Sequence, residues 1–256
     1  MSSPSVDPSV KGGGPLALDA PSAVEFMREA LIKISEEEIG VIAEELQQKR
    51  NHFAPLVSRY ALTSAKEEDL LEVLGSVFAT RKRAEDILVD VGAEPLREAL
   101  LNLVHGEGDT ADRFNAFDGA LARVSPPVRR DLAGEALHFH DPERYWLWSR
   151  WMWNPGTRTG ALPLVLVGDE VLQGETPGDI YMRIGEAVET VRAMADELGF
   201  HRMRSSPFAV DVYLGGIYGV YMYTVTRIRM TQEFNRVIPK LPELLRRLFG
   251  VYRLEG

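Results

Sequence analysis

Between Pro21 and His140 the apolar residues recur three and four positions apart, and capping signals cut the pattern into segments of helical length. Ala23, Phe26, Met27, Ala30 and Leu31 make the first stripe, with Asp19 ahead of it and Pro21 suited to an opening turn. Ser35 and Glu38 have capping-box spacing, and Ile39, Ile42, Ala43 and Leu46 continue behind them. A second such pair, Ser64 with Glu67, precedes Leu70, Leu71, Val73, Leu74, Val77 and Phe78. Further helices are expected over about 82–91, 94–105, 110–123 and 127–140, punctuated by Gly92, Gly106 and Ser125-Pro126-Pro127. Connections this short suit helices packed side by side, so residues 21–153 read as a helical body. Residues 1–20, rich in Ser, Pro and Gly, read as a flexible leader; Met1 to Pro15 lacks the basic start and apolar stretch of a secretory signal.

Past Asn154-Pro155-Gly156 the pattern changes. The apolar run Ala161 to Val167, ended by Gly168-Asp169, suggests a strand that Pro163 would confine to an edge. Thr176-Pro177 opens a long amphipathic helix, Ile180 through Leu198, stopped by Gly199, and a short helix is expected at 240–249. Phe208 to Val225 fits two patterns. Val210, Val212 and Leu214 alternate as in a strand, whereas Leu214, Ile217, Tyr218, Tyr221, Val225 and Ile228 share a helical face. The preferred reading is a strand at about 208–214 and a helix from about 217 to 236. The expected fold class is mainly α: a multi-helix body, then a smaller C-terminal α+β part, residues 154–256, with one to three short strands. The 208–225 run carries a single charge, Asp211, and a Gly215/Gly219 small-xxx-small pair. Its tyrosines are spread along it instead of gathering at two interfaces, so a buried element is expected and no transmembrane span.

A net charge of −9 opposes whole-surface binding to nucleic acid or anionic lipid. The distribution is uneven: residues 227–256 hold seven basic and three acidic residues, which suits either a solvated face or a docking surface for an acidic partner. The absence of cysteine excludes disulfides, Cys-ligated metal and thiol catalysis, and fits a reducing, cytoplasmic setting.

All four tryptophans lie between Trp146 and Trp153. On a helix Trp146, Arg150 and Trp153 would share one side and Trp148, Trp151 and Met152 another, more indole surface than one interior face hides easily. Trp, Tyr and Arg dominate binding hot spots, so Arg144, Trp146, Trp148, Arg150, Trp151 and Trp153, with Arg246 and Arg247 from the basic stretch, are the candidate partner-binding residues. Glu135 and His138 stand one helical turn apart, the half-motif of a di-iron carboxylate bundle that could recruit Glu45, His52, Glu98 or His105. Only one such pair exists, and a histidine near a helix end also serves the helix dipole. Gly106-Glu107-Gly108-Asp109 follows a helix and lacks the third glycine and the lysine of a phosphate loop, and the 154–160 loop fits either anion binding through backbone amides or a tight turn into the next strand. No catalytic constellation emerges and no cofactor is implied. The leading expectation is a non-catalytic accessory subunit that binds another protein or a second copy. A metal-dependent oxidoreductase on Glu135 and His138 is the alternative, and a nucleic-acid-associated helical protein a weaker one.

Overall fold

The computed structural model describes residues 16–197, 206–229 and 239–251, with side chains of 194–197 and 226–229 left aside. The leader up to Pro15, the stop at Gly199, the helix end near 236 and Arg253 fall outside that description. Eleven α-helices follow in order among the described residues: α1 (Ala20–Lys33), α2 (Glu36–Leu56), α3 (Arg59–Ser64), α4 (Glu67–Ser76), α5 (Ala84–Val91), α6 (Ala93–His105), α7 (Thr110–Ala120), α8 (Pro126–His140), α9 (Pro177–Glu197), α10 (Ala209–Arg229) and α11 (Leu241–Phe249).

Local chemistry accounts for most of these boundaries. Asp19 caps α1 by accepting from Ser22 N at 3.2 Å, and the Ser35/Glu38 box closes reciprocally at the start of α2. The second expected box does not form. Ser64 instead ends the short helix α3, donating to Tyr60 O, and α4 begins three residues on, at Glu67, where Asp69 accepts from Lys66 N at 2.8 Å. An Asp in the first turn serves the free N–H groups as well as a Glu would.

The mainly α class is what the structure has, but among the described residues there is no strand, only isolated antiparallel bridges at Leu18–Leu166 and Asn154–Thr159. The run at 161–167 winds instead into a single 3-10 turn, Leu162–Leu164, with Pro163 inside it. Proline has no N–H to give a ladder, whereas its fixed φ suits a tight turn. The 208–214 strand is also corrected: one helix, α10, runs through Gly215-Gly216. A Cβ on Gly215 would stand 2.8 Å from Leu245, and one on Gly219 would stand 2.3 Å from Leu241. The small-xxx-small pair is therefore the groove that receives α11, and close helix packing outweighs the cost of glycine within a helix, about 1 kcal/mol each.

One hydrophobic cluster runs from Ala23 of α1 to Val251 beyond α11. In it α9 packs on α7, α10 packs on α1 and α2, and α11 packs on α2 and α10. At the centre lies α8, buried without a break from Asp131 to Phe139. A helix covered on every side is unusual for one carrying Asp131, Glu135 and His138, and these three residues mark where chemistry could sit in the fold. Among the described residues no helix is long and apolar enough to cross a membrane.

Candidate functional site

Asp131, Glu135 and His138 occupy positions i, i+4 and i+7 of α8 and so share one side of that helix. Each meets a different element. Glu135 Oε2 lies 2.5 Å from Lys49 Nζ of α2, and the same ammonium donates to Phe249 O of α11 at 2.8 Å while standing 4.5 Å from the Phe139 ring centre. Lys49 is only 4% exposed, so both its charge and its donors are satisfied inside the protein. Asp131 accepts from Arg150 three ways: backbone N at 2.9 Å, Nε at 2.8 Å and Nη2 at 2.7 Å. Burial pushes the Asp131 carboxyl up to about 7, against the opposing pull of Arg150. His138 Nδ1 lies 2.9 Å from Tyr145 O; a carbonyl only accepts, so that nitrogen carries the proton. Its Nε2 stands 2.9 Å from Asp211 Oδ2 of α10, out of line for a hydrogen bond, with both side chains almost wholly buried.

The metal reading of Glu135 and His138 meets this geometry directly. Glu135 faces an ammonium, and His138 faces a single carboxylate. Of the residues that could have joined them, Glu45 binds Arg246, His52 stands 3.8 Å from Glu72, His105 Nε2 lies against Val57 O, and Glu98 is exposed. Among the described residues no group of three or more His, Asp or Glu side chains is gathered as a metal would need.

The tryptophan segment is not the expected helix. After α8 ends, the backbone from Tyr145 to Ser149 is non-helical and turns at 150–152. Its polar groups are held individually: Trp146 N donates to Tyr181 Oη at 3.2 Å, Tyr181 Oη donates to Trp146 O at 3.0 Å, and Arg150 N goes to Asp131. Burial pushes the Tyr181 phenol well above its ordinary range, so it stays protonated in this role. The segment passes so close to α8 that a Cβ on Gly134 would lie 2.3 Å from Trp148 O. Trp148, Trp151 and Trp153 are 2%, 5% and 0% exposed, which corrects the expectation that the interior could not hold them. Non-helical backbone sends successive rings to different neighbours. Trp148 stacks on Phe114, itself stacked on Tyr181, while Trp151 meets Phe249 edge-on at 5.4 Å between centroids. Trp146 is half-buried, with Nε1 donating to Glu189 at 2.7 Å. Only Arg144 and Arg150 of this segment's candidates keep exposed side chains.

In the basic C-terminal stretch Arg246 is gripped in a fork by Glu45, at 2.7–2.9 Å, and Arg247 pairs with Glu243 along α11 while staying exposed. The cationic feature that sequence reasoning missed lies elsewhere. Arg81-Lys82-Arg83, between α4 and α5, is a run of three basic residues on an acidic chain, and Arg81 and Lys82 line a cavity with Lys49 and His52. The run was legible; that it faces α2 was not. In comparisons with known proteins no family model matches the chain, and no curated protein or solved structure gives a significant match.

Proposed function

We propose that this protein is a non-catalytic interaction subunit of a reducing, cytoplasmic compartment, whose partner is an acidic protein surface. The observation that carries this reading is the pairing along α8: Asp131 with Arg150, Glu135 with Lys49, and His138 through Nδ1 with Tyr145 O. Both carboxylates are matched by a cation of the same chain, and the His138 ring is buried against Asp211, away from a substrate in solvent. Of the candidate contact arginines, Arg144, Arg150 and Arg247 are exposed. Arginine is the cation best suited to forked recognition of carboxylates. With Trp148, Trp151 and Trp153 packed inside, these exposed arginines and half-buried Trp146 are what remains of the candidate contact residues, and Arg246 serves the fold through Glu45.

Native co-purification from the source cells tests this, with wild type compared against Arg144→Glu/Arg247→Glu and light scattering on each eluate. The expected result is a discrete complex recovered by wild type and lost on charge reversal. A wild-type chain that elutes as a monomer, or one that recovers the same proteins as the charge-reversed variant, would overturn the proposal.

A further inference from the structure

The connection between α4 and α5 brings Arg81 and Lys82 to a cavity of about 360 Å³. Its other walls are Lys49 and His52 of α2, Gly75 and Ser76 at the end of α4, and Gly250 just past α11. Among the described residues no carboxylate lines it, although the chain as a whole carries −9. Among the described residues nine arginines are ion-paired with Asp or Glu, whereas neither Arg81 nor Lys82 has such a partner.

Opposing charge is present and decides how strong the site can be. Glu135 cancels Lys49 at the cavity floor, and the C-termini of α4 and α11 bring about half a negative charge each. The Ser76 hydroxyl is used on Glu72 O, at 2.9 Å, and so is not a donor to spare. Arg81 and Lys82 together exceed the two helix ends by about one positive charge, while His52 stands 3.8 Å from Glu72 and adds none to the balance. The Arg81 guanidinium lies 4.6 Å from the ring centre of Phe78, a cation–π contact that restrains the side chain.

We propose that this cavity binds a phosphate group, with the Arg81 fork and the Lys82 ammonium as its donors. A phosphate is small enough for the space, carries up to two negative charges near neutral pH, and offers the planar pairs of oxygens that a guanidinium matches. The volume sits at the low end of ligand cavities, about 300–1,000 Å³, and suits a phosphate monoester better than a dinucleotide. The site stands apart from the protein-partner reading: it needs only the purified chain.

Titration calorimetry at fixed ionic strength tests it, with three probes: inorganic phosphate, glycerol phosphate and a phosphoserine peptide. Saturable binding is expected for phosphate, weakened about tenfold by Arg81→Ala and again by Lys82→Ala, as losing a charge-assisted hydrogen bond predicts. Arg123→Ala, whose side chain binds Asp90 O, is expected to bind as wild type does. Tighter binding of the peptide than of glycerol phosphate assigns the group to a protein carrier, and the reverse assigns it to a free small molecule; both support the site. Lys82 is exposed, so its variant tests binding without risk to the core. No saturable heat with any probe, or heat unchanged in both variants, overturns the proposal.

Discussion

Asp131 shows how one buried carboxyl gives stability a pH dependence. Its pKa in the folded chain is about 7, raised from an ordinary 3.8, because burial outweighs Arg150. Between those values the folded state keeps a proton that the unfolded chain has already released, so this group's contribution is fully present below pH 4 and lost as pH rises through 7. Asp131→Asn keeps the acceptor oxygen for Arg150 and removes the titration. Urea midpoints from pH 4 to 8 are therefore expected to decline less steeply with pH in the variant than in wild type. Lys49 has the opposite standing, since its charge is fully matched. Lys49→Met would leave Glu135 buried against no cation, at a cost of about 3–5 kcal/mol, and adding Glu135→Gln is expected to recover part of that loss in denaturant unfolding.

At the scale of elements, two glycines in helices make opposite predictions. Gly40 of α2 has nothing within 4 Å of where a Cβ would sit, so Gly40→Ala is expected to stabilise by about 0.5–1 kcal/mol through backbone entropy alone. In α8 a Cβ on Gly134 would collide with Trp148 backbone at 2.3 Å, so Gly134→Ala is expected to destabilise by about 1–3 kcal/mol or more despite its better helix propensity. Thermal unfolding of the two variants side by side checks the sign. The same contrast explains what was legible in the sequence. Helices α1, α2 and α4 to α8 announce themselves because their stripes and most of their stops are local chemistry, as at Ser35, Glu38 and Gly92. The course of 145–153 is not local. It depends on Gly134 leaving room, on Asp131 accepting the Arg150 amide and on Tyr181 from α9 serving Trp146, none of which a window of neighbouring residues contains. The strand at 208–214 failed for a similar reason, because the neighbour that Gly215 and Gly219 accommodate lies more than twenty residues on, in α11.

For the whole molecule, a single interior ties distant parts of the chain together through charges as well as apolar contacts. Lys49 reaches α8 and α11, and His138 reaches α10 and the turn after α8. The lone charge of an apolar run, Asp211, was the one sequence sign of this arrangement, and its partner could not be named without the fold. The double duty of Lys49 has a consequence for the order of assembly. Of its two oxygen partners, the carbonyl of Phe249 is made two hundred residues later than the lysine itself. Before α11 has been synthesised, that ammonium can meet Glu135 but not its second acceptor. The last contact of this buried ammonium thus waits on a segment translated long after the helices it joins.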